Sequence, residues 1–326
     1  MTVLVTGAAG FIGYHVTEAL LARGEQVIGV DNLNDYYDVR LKEARLARLQ
    51  GRNGFAFHRI DIADIEAMRA LMAGAPDIRR IVHLAAQAGV RYSLENPFAY
   101  VQANLVGHMT ILEIARHQPG FEHLVYASSS SVYGGNTSLP FAVDDRTDTP
   151  VSLYAATKKA DELMSHCYSH LYGIPQTGLR FFTAYGPWGR PDMAMYIFCR
   201  AITAGRKVPV FNHGDMHRDF TYIDDIVSGV LAALDRPPAA AEGLPPCRLY
   251  NIGNHRSEPL MRMIGLLEQA LGRKAEIEFL PMQPGDVKET FADIDAISRD
   301  VGYRPTTPID IGVPKFVEWF KAYEGV

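Results

Sequence analysis

The sequence predicts an α/β fold, a doubly wound parallel sheet followed by a smaller α/β region, and three observations carry that expectation. Val3 to Gly13 reads as a strand, a glycine turn and a helix in that order. Strand-like and helix-like segments then alternate as far as Phe182. Beyond Thr183 the alternation is lost, and Gly and Pro become frequent. Strands separated by helices are driven into parallel pairing, because each crossover helix must pack its apolar stripe back onto the sheet.

Val3 to Val5 is a short apolar run that suits a buried strand. Gly7, Gly10 and Gly13 follow at intervals of three, and Phe11, Ile12, Val16, Leu20 and Leu21 recur at helical spacing until Gly24. Glycine is needed where the turn is tight, where backbone N–H groups approach a pyrophosphate, and where the helix packs close to the strand. Gln26 to Val30 is the second strand. Asp31, eighteen residues after Gly13, stands where a carboxylate accepts hydrogen bonds from a ribose and repels a 2′-phosphate, which favours NAD over NADP. The pattern is that of a Rossmann-type sheet. Its candidate cofactor contacts are Gly7, Gly10, Phe11, Ile12, Gly13, Asp31 and Asn32, the last opening a polar loop to Asp38.

A charged helix is expected from Val39 to Gln50 and a third strand at Phe55 to Ile60, with Asp61 and Ile62 at its end against the adenine. Asp64 caps a helix to Met72. A fourth strand, Ile81 to Leu84, ends in Ala85 and Ala86, small enough for a cofactor to lie on the backbone. Two long helices flank a fifth strand at Leu124 to Ala127: Pro97 to His117, with Val101, Leu105, Met109 and Leu112 on one face, and Leu153 to Tyr172, with Leu163, Met164, Cys167, Tyr168 and Leu171. Gln176 to Phe182 is the sixth strand. Residues 1–183 are read as the NAD-binding domain, to which a helix and strand at about 219–252 return. Residues 184–326, with short strands at Val208 to Phe211, Leu249 to Ile252 and Ile277 to Leu280, are read as the substrate-binding region.

The 326-residue chain is 48% hydrophobic and 21% charged, enough apolar material for one large or two intimately joined domains. A net charge of −5 without a long basic run argues against nucleic acid and anionic membrane surfaces. Cys167, Cys199 and Cys247 are odd in number and lack metal-site spacing, so reduced thiols are expected. The first strand leaves no room for a signal peptide and no apolar run reaches spanning length, which gives the expectation of a cytoplasmic protein. His166 with His170, and His213 with His217, lack a third ligand, so no metal is expected.

Tyr154 and Lys158 lie four residues apart in the second long helix, hence on one face. A cation beside a phenol favours the phenolate, the form that acts as general base. Ser128 to Ser131 follow the fifth strand, and open parallel sheets bind ligands beyond the carboxyl ends of their strands. One serine hydroxyl can therefore meet a substrate alcohol beside Tyr154. Taken singly, the two motifs also read as an ordinary helix face and a solvated loop.

Together, GxxGxxG at Gly7, Asp31, the SSSVYG stretch from Ser129 to Gly134 and YxxxK at Tyr154 resemble extended short-chain dehydrogenase/reductases acting on nucleotide sugars, over essentially the whole chain. Asn32 to Asp38, Gln87 to Ser93, Gly186 to Ala194 and Met282 to Val287 are similar to UDP-glucuronate 4-epimerases in particular. The resemblance implies an isomerase and a homodimer, with NAD bound and a UDP-sugar as substrate. Tyr154 takes the proton of the sugar 4-hydroxyl while C4 gives a hydride to NAD, the 4-keto sugar turns over, and the hydride returns to its other face. Lys158 holds the nicotinamide ribose, and Ser129 binds the 4-oxygen with Ser130 and Ser131 beside it. Arg190 resembles the arginine that clamps the sugar carboxylate, a task suited to a planar guanidinium. Thr183 stands where epimerases of neutral hexoses carry asparagine. Arg218 matches a diphosphate contact, Val208 and Phe211 border the uracil pocket, and Gln283 and Asp286 lie near the uridine ribose.

The alternatives are a UDP-glucose/UDP-galactose 4-epimerase, a UDP-uronate decarboxylase or nucleotide-sugar 4,6-dehydratase, and a non-catalytic NAD-binding sensor. Arg190 and Thr183 argue against the first. Ser131 stands where the lyases carry Glu and offers only a hydrogen bond near C5 and C6, so the carboxylate is expected to stay. The intact set of Tyr154, Lys158 and Ser129 argues against the third.

Overall fold

The computed structural model describes residues 1–283 and 285–326; Pro284, within the Met282 to Val287 string, lies outside the described residues. The chain runs β1 (Thr2–Thr6), α1 (Phe11–Ala22), β2 (Gln26–Asp31), α2 (Val39–Leu49), β3 (Phe55–Arg59), α3 (Ile65–Gly74) and β4 (Ile78–His83). Two short turns, α4 (Tyr92–Glu95) and α5 (Pro97–Tyr100), lead into a π-helical segment (Val101–Val106), α6 (Gly107–His117) and β5 (His123–Ser129). After a 3-10 turn (Ser130–Tyr133) come α7 (Leu153–Tyr172), β6 (Gln176–Phe181), β7 (Thr183–Tyr185), α8 (Ala194–Thr203), β8 (Val208–Val210), β9 (His217–Arg218) and β10 (Phe220–Tyr222). The remainder is α9 (Ile223–Leu234), β11 (Cys247–Ile252), β12 (Glu258–Pro259), α10 (Leu260–Leu271), β13 (Ile277–Phe279), α11 (Asp295–Val301) and α12 (Ile309–Glu324).

β1 to β6 and β11 form one parallel sheet in the order β11-β6-β5-β4-β1-β2-β3. Its direction of winding reverses between β1 and β4, which opens a crevice beyond the carboxyl ends of those two strands. Side chains alternate across the sheet. Val3 and Val5 join an apolar cluster with Val16 and Leu20 of α1 and Ile226 and Val230 of α9, while Leu4 and Ile81 join another with Met68, Ile111 and Leu112. Helices cover both faces, which is why β1 and β5 read as unbroken apolar runs at Val3 to Val5 and Leu124 to Ala127. The short pairs β7–β10 and β8–β13 are parallel and β9–β12 is antiparallel. β7 follows β6 after a single residue, and Thr183 N donates to Asp219 O at 3.1 Å, so Thr183 stays at the carboxyl edge of the sheet.

α7 spans the residues expected of it. Ser152 Oγ accepts from Ala155 N at 3.1 Å, and Gly173, at φ 65°, closes the far end. Two expectations are corrected. The helix expected over 97–117 contains the π segment, whose wider turn rotates the rest of the helix, so Val101 is 39% exposed while Leu112 is fully buried and the two share no face. The strand expected over Val208 to Phe211 ends at Val210, because Phe211 opens a turn in which Asn212 and His213 have φ near 50°, a conformation no strand can continue.

Candidate active site

β1 runs into the glycine turn, where space is the deciding quantity. Gly7 has φ 73°, and a Cβ there would lie 2.7 Å from Ala85 N; a Cβ on Gly13 would lie 2.0 Å from Gly7 O. Both obstacles are backbone and cannot swing aside. Gly10 caps α1 without a side chain, so the helix N-terminus meets a cavity of about 420 Å³ bounded by Gly7, Gly10, Phe11, Ile12 and Gly13.

At one end of that cavity stand Asp31, Asn32, Asp61 and Ile62. Asp31 accepts from Ala9 N at 3.2 Å and Leu33 N at 2.8 Å, and Asn32 Nδ2 donates to Asp61 at 3.0 Å. Leu84, Ala85 and Ala86, beyond β4, form the wall beside the glycines. At the other end lie Ser129, Ser130, Ser131, Tyr154 and Lys158, with Thr183 and Arg190 alongside. One space therefore gathers all the expected cofactor contacts together with the three catalytic candidates.

The catalytic end is built by β5, the turn after it, and α7. Ser129 Oγ accepts from Ser131 N and lies 3.2 Å from Ser131 Oγ. Tyr154 stands edge-on to Tyr100 at 6.0 Å between ring centroids, and Tyr100 donates to Ala88 O at 2.9 Å. The Tyr154 ring is thereby set against the loop that follows Ala86. Lys158 Nζ is almost wholly buried and donates to Ala127 O at 3.0 Å and Asp161 Oδ2 at 2.9 Å.

Arg190 is held by Asp192, with Nε and Nη2 at 3.0 and 2.5 Å from its carboxylate, and Tyr36 donates to the same carboxylate at 3.0 Å. Burial pulls the Arg190 pKa down, but the Asp192 charge outweighs it and the net movement is upward. The backbone before Arg190 is strapped by the fully buried Arg45, which donates to Trp188 O at 2.7 and 3.1 Å and to Ala9 O at 2.9 Å. A smaller cavity of about 160 Å³ shares Ser130, Ser131 and Thr183 with the first and adds Arg218 and Asp286. Arg218 donates to Lys288 O at 3.0 Å, and burial draws its pKa down. Asp286 pairs with Arg91 at 3.2 Å, and Arg91 lies 4.9 Å over the Phe211 ring. Val208 is fully buried in the core, and none of Val208, Phe211 and Gln283 borders the two cavities.

Tyr36, Tyr37 and Lys42 also border the large cavity; the two tyrosines lie in the Asn32 to Asp38 string, while no motif in the sequence marks Lys42. Lys42 Nζ bonds to Asn34 and lies 4.0 Å from Asp31. The helical phase holds a clue: Lys42 and Arg45 fall on the same side of α2 as Leu41, Leu46 and Leu49, all buried.

Residues 3–253 match the NAD dependent epimerase/dehydratase family. The chain belongs to that family. Among its relatives in the family, the probable UDP-glucuronate 4-epimerase of Rhizobium meliloti (strain 1021) is 47% identical over 98% of this chain and 97% of that protein. UDP-glucuronate 4-epimerase 4 of Arabidopsis thaliana is 49% identical over 99% of this chain and 76% of that protein. The crystal structure of the UDP-glucuronic acid 4-epimerase from Bacillus cereus, in complex with UDP-glucuronic acid and NAD, superimposes with a TM-score of 0.90 at 34% identity, covering 99% of this chain and 100% of that one.

Proposed function

We propose that this member of the NAD dependent epimerase/dehydratase family is a UDP-glucuronate 4-epimerase, an isomerase that interconverts UDP-glucuronate and UDP-galacturonate and keeps the carboxylate. The observation that carries the reading is the single cavity in which a glycine cradle, Ser129, Tyr154, Lys158 and Arg190 meet. The names of the relatives support the same reaction.

The residues fit NAD, because the cradle excludes any side chain at Gly7 and Gly13 while leaving a helix N-terminus open for a pyrophosphate. Gly7, Gly10, Phe11, Ile12 and Gly13 would hold the pyrophosphate, Asp31 and Asn32 the adenosine ribose, and Asp61 and Ile62 the adenine. Leu84, Ala85 and Ala86 would lie along the cofactor, with Tyr154 and Lys158 at the nicotinamide ribose. NAD, when bound, supplies reversible two-electron oxidation at the sugar C4. Tyr154 removes the 4-hydroxyl proton and returns it after the ring has turned over. Ser129 Oγ hydrogen-bonds the 4-oxygen on both faces, with Ser130 beside it. Ser131, a hydroxyl rather than a carboxylate, brings no acid or base to C5 and C6, so the carboxylate is retained. Arg190 and Thr183 would bind that carboxylate, Arg218 the diphosphate and Asp286 the uridine ribose, while Val208, Phe211 and Gln283, which border neither cavity, are left out of the proposed contacts.

Residues 1–183, with about 219–252, act on this reading as the NAD-binding part, and 184–326 as the nucleotide-sugar-binding part. A homodimer is part of the proposal. Phe98 at 82% exposed, with Leu163 and Leu171 each at 61%, leaves an apolar face on α5 and α7 that a second copy would cover. No described helix is long and apolar enough to cross a membrane, and the proposed site of action is the cytoplasm. A neutral-hexose reading has one observation in its favour: Arg190 is already paired with Asp192. Proton NMR of the protein with UDP-glucuronate and catalytic NAD decides between them. Formation of UDP-galacturonate without carbon dioxide supports the uronate reading; conversion of UDP-glucose with UDP-glucuronate untouched overturns it.

A further inference from the structure

Beneath the tyrosine–lysine pair lies a buried polar cluster that the proposed reaction does not use. Asp161, on α7 and fully buried, accepts from Lys158 Nζ at 2.9 Å through Oδ2, and its Oδ1 has no hydrogen-bond partner among the described residues. His108 of α6 lies beside Asp161, with Nε2 at 2.8 Å from Ser165 Oγ, and His83 of β4 stacks on His108 at 5.3 Å. Burial pushes His108 down to about 4 and His83 well below its ordinary value, so both rings are neutral near pH 7. Tyr126 of β5 and, beyond it, Cys247 of β11 are held protonated by burial. Glu162, the next residue on α7, is taken by Arg180 of β6, Ser128 and Lys159. Lys158 is thus the only cation left to balance Asp161 among the described residues.

A buried carboxylate in that position acts on the lysine in two ways. It fixes the ammonium between its own oxygen and the Ala127 carbonyl. It also subtracts from the positive field that Lys158 projects onto the phenol one turn earlier. We propose that Asp161 is a positioning residue for Lys158, tethering the ammonium and setting how strongly its charge favours the phenolate form of Tyr154. This rests on the reading of Tyr154 as the proton acceptor.

Asp161→Asn keeps the volume and an oxygen for Lys158 but removes the charge. The acid limb of its kcat–pH profile moves toward lower pH, with KM for UDP-glucuronate unchanged within about twofold. A structural role alone would shift the melting temperature and leave the profile in place, so a profile superimposable on the wild type overturns the proposal. A second readout needs no turnover. Lys158→Met strands Asp161 as an uncompensated buried charge, so its melting temperature falls, and adding Asp161→Asn restores most of the loss. Equal melting temperatures for the single and double variants overturn the tether. If the wild type does not turn over UDP-glucuronate, the assignment of function fails while the melting comparison still decides the Asp161–Lys158 pair.

Discussion

Replacing Arg180 by methionine tests how the catalytic end is supported. Arg180 and Glu162 are each 2% accessible, with Nε and Nη2 at 2.7 and 2.9 Å from the two carboxylate oxygens. Arg180 Nη1 also donates to Tyr133 Oη at 3.1 Å and Val143 O at 3.0 Å, so it props the turn that carries Ser130 and Ser131. Burial alone would raise the Glu162 pKa; the guanidinium more than offsets this and holds it below the ordinary carboxylate range. Breaking a buried pair from one side costs about 3–5 kcal/mol. Ser128 Oγ at 2.7 Å and Lys159 Nζ at 3.2 Å still reach Glu162, which places Arg180→Met at the lower end, about 3 kcal/mol. Glu162→Met/Arg180→Met removes the stranded charge and recovers at least half of that. In the wild type, the Glu162 contribution is present above the unfolded pKa and is lost as pH falls through the lower folded value. In Arg180→Met the folded pKa is instead raised, so the penalty is full at neutral pH and shrinks as Glu162 takes a proton in acid. The gap between the two proteins must therefore narrow from about pH 7 to about pH 4 in urea unfolding. A loss under about 1 kcal/mol, or a gap that does not narrow, refutes the reasoning.

Gly13→Ala places a methyl 2.0 Å from Gly7 O, so a loss of about 1–3 kcal/mol in stability and weaker NAD binding by calorimetry are expected; unchanged NAD affinity would contradict the cradle. Arg190→Met is expected to lower kcat/KM for UDP-glucuronate about 10–100-fold, the worth of a charge-assisted bidentate contact. An equal effect on UDP-glucose would remove the carboxylate clamp. Burial raises the Asp219 carboxyl to about 6, against backbone donors at Asn254 and Ala292 that pull it down. Its folded pKa exceeds the unfolded one, so its stabilising contribution is complete below about pH 4 and is lost as pH rises through about 6. Asp219→Asn should abolish that slope in thermal melts across this window.

Much of the architecture is legible in the sequence because the order of elements is written in local patterns. Strand, glycine turn and helix at Val3 to Gly13 place the crevice, and Ser152 and Gly173 bracket α7. The features that escape are long-range. β7 and β10 are three-residue strands paired in parallel, too short for any periodicity to mark them. β4 starts at Ile78 rather than Ile81 because Arg79 and Arg80 disguise its first half, Arg80 being neutralised by Glu122 at 2.9 Å. α2 reads simply as a charged helix, and Arg45 is turned inward to satisfy carbonyls at Ala9 and Trp188, partners that sequence spacing does not bring together. The residues around the cavity are legible where a motif holds them, at Tyr154, Lys158 and Ser129. Those that only the fold brings near, such as Lys42 and Asp161, are not.

The measurement that tests the central claim most directly starts from UDP-glucuronate carrying deuterium at C4. Incubation with the protein and catalytic NAD should give UDP-galacturonate with the deuterium still at C4, no label in water and no carbon dioxide. Label appearing in the solvent, or release of carbon dioxide with loss of the uronate signals, would contradict internal oxidation and reduction at C4 with the carboxylate retained.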